Sequence, residues 1–239
     1  MQTILITGAG KRLGKLLAEH FLAQGYRVVA HYNSVNELAE HSNLITLQAD
    51  LSDAASIAAL CQQLPQYGPY CGVIHNASCF VADQVALEAG TPAVEHFQQH
   101  FSVHVYAPMM ITEALSQSWH EKAWMTVISD IYSEIPNQRF SVYCASKAAL
   151  QNWALSMAQR LSPQVRTNVI QPGPIQFLPQ HSQQYREMVL SQSLIKQELG
   201  YSAIIEACDY LAGSAAVCGN VMRVDGGRFV SNRYEQTFS

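Results

Sequence analysis

Near the amino terminus, residues 4–14 read Ile-Leu-Ile-Thr-Gly-Ala-Gly-Lys-Arg-Leu-Gly. The apolar opening predicts a buried strand, and Leu13, Leu16, Leu17 and Phe21 then recur at the spacing of a helix packed on a sheet. A glycine turn between a strand and a helix aims backbone N–H groups and the positive helix end at a phosphate. The stretch therefore predicts the first unit of a dinucleotide-binding α/β fold, with an ordinary tight turn as the alternative.

The composition predicts one domain with a small-molecule partner. The chain has 239 residues, of which 13% are charged and 49% hydrophobic, and its net charge is -4. This length allows a core that needs no disulfides, so we predict a single domain over residues 1–239. The negative charge and the lack of a Lys/Arg run argue against nucleic acid and membrane surfaces. The small charged fraction predicts that another subunit covers part of the surface.

The predicted location is the cytoplasm. The first strand begins at Thr3, which leaves no room for a signal peptide, and no apolar run approaches the roughly 18 residues of a membrane span. The six cysteines form no Cys-x-x-Cys pair. We therefore expect reduced thiols, without a disulfide framework and without a metal site.

A second stretch, around residues 128–149, predicts the chemistry. Tyr143 and Lys147 stand four apart in a run with helical spacing, so both side chains leave one face of a helix. An ammonium beside a phenol should lower the tyrosine pKa from about 10 and favour general acid catalysis. Asp130 follows the apolar run Trp124 to Ile128, at a strand end where open α/β sheets bind ligands. We predict that these three catalytic groups converge.

Together the two stretches resemble the short-chain dehydrogenase/reductase family over essentially the whole chain. Thr-Gly-x-x-Lys-Arg-Leu-Gly at residues 7–14 and Asn-Ala-Ser-x-Phe at residues 76–80 resemble in detail its pteridine reductase and dihydromonapterin reductase branch. The resemblance implies a single Rossmann-like, doubly wound parallel β-sheet with helices on both faces. It also implies NADPH-dependent reduction of a pterin, most simply a 7,8-dihydropterin of the dihydromonapterin or dihydrofolate type, to the tetrahydro form.

The cofactor prediction rests partly on the second strand, Tyr26 to Tyr32. No Asp or Glu follows it to hold the ribose hydroxyls of NAD, and Lys11 offers charge to a 2′-phosphate, so NADPH is predicted over NADH. Ser34 departs from the arginine that this branch often has. Asp50 resembles the adenine contact, with an N-cap of the helix from Ser52 as the alternative. The full predicted cofactor set is Gly8, Lys11, Arg12, Leu13, His31, Tyr32, Asn33, Ser34, Asp50, Leu51, Asn76, Ala77, Ser78, Tyr143, Lys147, Pro172, Gly173 and Ile175.

The resemblance implies a pterin site made of Arg12, Ser78, Phe80, Asp130 and Tyr143. Phe80 would stack on the flat pterin, although a core phenylalanine is the competing interpretation. The family usually has a serine at the place of Asp130, which polarises a carbonyl, whereas a carboxylate suits a substrate with N–H groups. Residues 176–200, rich in glutamine and serine, predict a mobile substrate lid.

Thr91 and Pro92 predict the start of a helix that continues towards Trp119. His96, His100 and His104 fall on one face of it, and a packed or solvated face is favoured over a metal site because no carboxylate or cysteine accompanies them. By resemblance, His104 stands where the family usually has an asparagine that holds a relay water, and a histidine can also pass protons. The apolar face of this helix predicts a homotetramer, as family members commonly form.

Two other functions fit the same sequence. A carbonyl or 3-oxoacyl reductase would use Tyr143 to protonate an alkoxide, with Asp130 merely replacing the serine and Ser129 beside it. A non-catalytic NADP-binding sensor is suggested by the altered residues at positions 104 and 130. Neither changes the predicted fold.

Overall fold

A computed structural model describes residues 1–231, which contain seven strands and eight α-helices. The strands are β1 (Thr3–Ile6), β2 (Arg27–Tyr32), β3 (Leu44–Gln48), β4 (Tyr70–His75), β5 (Trp119–Ile128), β6 (Val165–Pro172) and β7 (Val221–Val224). The helices are α1 (Arg12–Ala23), α2 (Ala54–Gln63), α3 (Asp83–Glu88), α4 (Ala93–Phe101), α5 (Ala107–Ala114), α6 (Ser141–Leu161), α7 (Gln183–Ser191) and α8 (Ser202–Gly213).

The strands form one parallel sheet in the order β3-β2-β1-β4-β5-β6-β7. The strand order reverses between β1 and β4, so the loops that leave these two strands diverge to opposite sides. Open α/β sheets bind ligands in the crevice at such a point, outside the carboxyl ends of the strands. The predicted doubly wound fold is confirmed.

Alternate residues of the strands face two separate cores. On one side Leu5 and Met125 pack with Ile57 of α2, Ile111 of α5 and Leu150 of α6. On the other side Ile4, Ile6 and Trp124 pack with Leu17 of α1 and Ile204 of α8. Because the strands are buried on both faces, the crevice outside their carboxyl ends is where a polar ligand can be bound.

The predicted helix from Thr91 towards Trp119 is wrong in its bounds. Pro92 takes the N-cap position and α4 begins at Ala93. A π-helical turn over Ser102–Tyr106 joins α4 to α5, which ends at Ala114. Trp119 is buried and begins β5, paired with Tyr70 of β4. The polar run at positions 120–122 hid this early strand start.

The predicted helix start near Ser52 is also displaced. The N-cap of α2 is Asp53, whose side chain accepts a hydrogen bond from the Ser56 N–H at 2.7 Å. Asp50 instead closes a local turn by accepting hydrogen bonds from the Ser52 N–H and hydroxyl at 2.8 and 2.7 Å.

Within residues 1–231, no helix is long and apolar enough to cross a membrane.

Candidate active site

The glycine turn after β1 is locked to the end of β4. The Thr7 hydroxyl accepts hydrogen bonds from the N–H groups of Asn76 and Ala77 at 3.0 and 3.1 Å. The Asn76 amide donates to the carbonyls of Thr7 and Gly8 at 3.0 and 3.1 Å. Gly8 has φ +67, and a Cβ there would lie 2.8 Å from the Ala77 Cα, so only glycine fits. Asn76 therefore shapes the turn with its side chain.

His31, near the end of β2, holds the same glycine turn through a side-chain hydrogen bond. Its Nδ1 accepts a hydrogen bond from the Gly8 N–H at 3.2 Å, which leaves Nε2 to donate to the Ala49 carbonyl at 3.0 Å. The side chain is 1% exposed, and burial lowers its pKa, so the ring is neutral. His31 was predicted as a cofactor contact. With both nitrogens occupied within the protein, its side chain holds the turn and offers no charge to a phosphate.

Arg12 begins α1 in a conformation that glycine usually adopts. Its φ is +52, and among residues 1–231 it is the only non-glycine residue with positive φ. A side chain in this left-handed region costs roughly 1–2 kcal/mol. Such strain is typical of functional positions. The Arg12 side chain is exposed at the turn, where a guanidinium would reach a bound anion.

These elements surround a cleft of about 490 Å³. The predicted cofactor residues on its wall are Gly8, Lys11, Arg12, Leu13, His31, Tyr32, Asn33, Ser34, Asp50, Leu51, Asn76, Ala77 and Ser78. The sequence-based prediction missed Gly10, Gly14, Val35, Ser52, Cys79, Gln99, Val103 and Tyr201. Two of these, Gly10 and Gly14, were visible as part of the glycine pattern, whereas Tyr201 follows the lid segment and no motif indicated its approach.

The predicted cofactor residues Pro172, Gly173 and Ile175, at and after the end of β6, do not line this cleft, and neither do Tyr143 and Lys147. The Gly173 N–H donates to the Val224 carbonyl at 3.0 Å, and a Cβ on Gly173 would lie 2.8 Å from the Asp225 Cβ. The glycine thus allows close packing against the end of β7. The neighbouring Pro172 is buried, and the Ile175 carbonyl accepts from the Gly200 N–H at 2.7 Å, which closes the base of the lid segment.

Asp130, Tyr143 and Lys147 do converge, beyond the end of β5. The Tyr143 hydroxyl donates to Asp130 Oδ2 at 2.8 Å, and Asp130 Oδ1 accepts from the Tyr132 N–H at 2.8 Å. The Lys147 ammonium donates to the Ile128 carbonyl at 3.0 Å and lies 5.7 Å from the centre of the Tyr143 ring. Tyr143 and Lys147 are 4% and 2% exposed. The three side chains form one cluster, in which Tyr143 and Lys147 are buried and Asp130 is partly exposed.

The predicted lowering of the Tyr143 pKa is wrong. Burial and the Asp130 carboxylate raise the pKa of Tyr143 well above its usual value. Burial lowers the pKa of Lys147 to about 8, against the Asp130 carboxylate, which raises it. Burial also raises the pKa of Asp130, against hydrogen bonds from Tyr132 and Tyr143 that lower it. The sequence spacing correctly paired Tyr143 with Lys147, but the Tyr143 pKa depends on its burial and on the carboxylate that folding brings to the phenol.

An aromatic wall stands beside this group. Phe80 is 55% exposed, which excludes the alternative of a core phenylalanine. Its ring stacks on Phe140, with centroids 4.3 Å apart and an interplanar angle of 16°. It also meets the Tyr143 ring edge-on at 4.7 Å. An exposed ring beside a buried phenol is suited to a flat aromatic ligand.

This geometry agrees with the comparisons to known proteins. The family model described as short chain dehydrogenase matches residues 2–189. The chain belongs to the short-chain dehydrogenase family. It is 35% identical to the dihydromonapterin reductase of Klebsiella pneumoniae and 33% identical to that of Citrobacter koseri, each over 234 residues that cover 94% of this chain and 95% of the relative.

The solved structures show the same short-chain dehydrogenase fold. One is FolM alternative dihydrofolate reductase 1 from Brucella canis, complexed with NADP, with a TM-score of 0.84. It is 24% identical and the match covers 99% of this chain and 97% of that one. Membership in the short-chain dehydrogenase family confirms the prediction of an oxidoreductase, and the named relatives confirm the resemblance to its dihydromonapterin reductases.

Within this short-chain dehydrogenase, the three histidines on one helical face are all buried. His96, His100 and His104 are 5%, 0% and 0% exposed. The prediction that no carboxylate accompanies them is wrong for His96, whose Nε2 lies 3.1 Å from an oxygen of Asp83, whereas His100 Nδ1 donates to the His96 carbonyl at 2.9 Å. The described residues contain no group of three His, Cys, Asp or Glu that could hold a metal ion. The face is a packed one.

Proposed function

We propose that this protein reduces a 7,8-dihydropterin to the tetrahydro form with NADPH. The observation that carries the proposal is the hydrogen bond of 2.8 Å between the Tyr143 hydroxyl and Asp130, next to the exposed ring of Phe80. The names of the relatives, dihydromonapterin reductase and FolM alternative dihydrofolate reductase, support the same class of substrate.

The cleft and its strained arginine support the cofactor. The glycine turn, the start of α1 and the exposed guanidinium of Arg12 suit a pyrophosphate, and Lys11 suits a 2′-phosphate. NADPH, when bound, supplies the hydride. The chain's own residues would orient the dinucleotide along the ends of β1 and β4, and the similar Brucella canis structure is a complex with NADP. We infer a preference for NADPH because the cleft at Tyr32 to Ser34 offers no carboxylate to ribose hydroxyls.

Asp130 and Tyr143 would handle the substrate and the proton. The reaction adds a hydride to C6 and a proton to N5 of the C6=N5 bond. A carboxylate accepts hydrogen bonds and can hold the N–H groups of a pterin. Tyr143, whose pKa is raised by burial and by Asp130, keeps its phenolic proton at neutral pH. Phe80 would pack against the flat ring and exclude water from it.

The arrangement does not favour a carbonyl or 3-oxoacyl reductase. Such an enzyme needs hydrogen-bond donors or positive charge aimed at the oxygen that becomes negative. Asp130 would repel that oxygen, and the Ser129 hydroxyl, 3% exposed as a residue, donates to the Lys147 carbonyl at 3.2 Å. Neither side chain is free to polarise a carbonyl.

Three further features belong to the proposal. Residues 176–200, which contain α7, would act as the substrate lid of a single domain that spans residues 1–239. The exposed apolar residues Phe97 on α4, Tyr106 in the π-helical turn and Met109 on α5 would lie within a homotetramer. The location in the cytoplasm, where NADPH is available, stays a prediction from the sequence.

Asp130→Ser tests the proposal directly. Steady-state NADPH oxidation would be measured with dihydromonapterin, dihydrobiopterin, dihydrofolate and an acetoacetyl thioester, and NADH would be titrated in parallel. We expect dihydropterin turnover to fall by about tenfold or more, the size expected for one charged hydrogen bond or one acid–base group. Thioester turnover should stay the same or rise.

Tyr143→Phe is the control, because it should impair either chemistry. Unchanged dihydropterin turnover in Asp130→Ser, together with abolished turnover in Tyr143→Phe, would contradict the role of Asp130. Tight NADPH binding by the wild-type protein with no turnover of any substrate would indicate the sensor instead.

A further inference from the structure

His104 lies between the loop that follows β4 and helix α6, which carries Tyr143. It sits within the π-helical turn Ser102–Tyr106 and is 0% exposed. Its Nε2 lies 2.8 Å from the Ser78 hydroxyl and 3.3 Å from the Cys79 N–H. Its Nδ1 lies 2.8 Å from the Ser146 hydroxyl. The ring thus connects the loop after β4 to helix α6.

These contacts fix the tautomer of His104. The Cys79 N–H can only donate, so Nε2 must be the unprotonated nitrogen. The Ser78 hydroxyl must then donate to Nε2 as well. In a neutral ring Nδ1 carries the hydrogen and donates to the Ser146 hydroxyl, whose own hydrogen goes to the Tyr143 carbonyl at 2.8 Å. The Ser78 hydroxyl also lies 3.4 Å from the Cys79 carbonyl, but its distance of 2.8 Å to Nε2 is the shorter one.

The surroundings oppose a charge on His104. Burial is the largest cause that lowers its pKa well below the usual value, and the neighbouring Lys147 and His100 lower it further. The Tyr143 ring meets the imidazole edge-on at 5.5 Å and offers no acceptor to it. A second proton would sit on Nε2, directly facing the Cys79 N–H. The imidazole is therefore held neutral with no nitrogen free.

We propose that His104 is a positioning residue that braces the loop of residues 78–80 against the turn of α6 that carries Tyr143, and that it does not relay protons. The consequence is local: the brace holds Phe80 and Tyr143, which flank the reacting ring, at a fixed separation. This inference deepens the proposed function and rests on it for its kinetic consequences, whereas the hydrogen-bond pattern of His104 can be tested without turnover.

Nitrogen-15 NMR of the histidine side chains gives the test that needs no substrate. The His104 signal would be assigned by its loss in His104→Gln. We expect a neutral ring protonated at Nδ1, unchanged between pH 5.5 and 8. An Nε2–H tautomer, or protonation within that range, would overturn the brace.

Kinetics of matched variants separate a brace from a relay. The amide oxygen of Gln can reach the position of Nε2, and the amide nitrogen of Asn can reach that of Nδ1, so each restores one side of the brace. His104→Ala should raise the dihydropterin KM by about tenfold, the size of a lost buried hydrogen bond, with little change in kcat or in the shape of its pH profile. His104→Gln should recover most of that loss, because it holds Ser78 and Cys79 again. His104→Asn should recover less.

The double variant Ser146→Ala with His104→Ala completes a double-mutant cycle. A brace predicts that Ser146→Ala adds little once His104 is gone, because both act through the hydrogen bond between His104 Nδ1 and the Ser146 hydroxyl. A fall in kcat with KM unchanged, or a shifted pH profile in His104→Ala, would show a relay and refute the inference. If the wild-type protein turns over no dihydropterin, the proposed function fails, and the NMR result still decides the hydrogen bonding of His104.

Discussion

Replacing Arg12 by glycine should make the protein more stable and a weaker binder of NADPH. Arg12 has φ +52, a conformation that costs a side chain roughly 1–2 kcal/mol, and glycine removes that cost. Glycine also lowers the free energy of unfolding by about 0.5–1 kcal/mol, because it loses more backbone conformational freedom on folding than other residues do. The net backbone gain is about 1 kcal/mol. For a chain of this length that corresponds to a rise in Tm of roughly 2–4 °C.

The matched variant is Arg12→Ala, which loses the same guanidinium but keeps the strained backbone. Both variants remove a cation from the start of α1, where the helix dipole disfavours positive charge, so this small gain is common to them. The Arg12 side chain is exposed, and little packing is lost in either. Calorimetry should therefore find the glycine variant about 2–4 °C above the alanine variant.

The binding loss should be the same in the two variants. One charged hydrogen bond to a phosphate is worth roughly 1.5–3 kcal/mol, so the Kd for NADPH should rise by about tenfold or more. Fluorescence titration measures it. Equal melting temperatures for the two variants would refute the argument from strain. Wild-type NADPH affinity in both would refute the role of Arg12 at the pyrophosphate.

Two further predictions concern charge and assembly. Because burial lowers the pKa of Lys147 to about 8, kcat should fall as the pH rises through that value and the ammonium is lost. Asp130→Asn should move this fall to lower pH, since the carboxylate raises the pKa of Lys147. An unmoved pH profile would exclude Lys147 as the group whose titration causes the fall. Phe97 on α4 is 48% exposed and should lie within the subunit interface of the tetramer. Light scattering should therefore find smaller species for Phe97→Glu and an unchanged assembly for the control Val85→Glu on α3. A tetramer in both variants would place the interface elsewhere.

The elements with strong periodic patterns were predicted closely. The last strand has the predicted bounds of residues 221–224, and the buried opening strand and its glycine turn lie where the sequence indicated. The start of β5 was missed, because Trp119 is followed by exposed polar residues that interrupt the apolar run. Burial of that tryptophan depends on the neighbouring strand β4, which local sequence does not describe.

The sequence by itself determined the candidate groups of the active site: a glycine turn followed by Arg12, a tyrosine and lysine one helical turn apart, and an aspartate at a strand end. These follow from local spacing, which fixes the face or the strand end that a side chain occupies. Only the tertiary structure decided their electrostatic state. The pKa of Tyr143 depends on its burial and on its distance of 2.8 Å from Asp130, thirteen residues away in the sequence. Burial and through-space charge are sums over the whole fold, so no local pattern carries them.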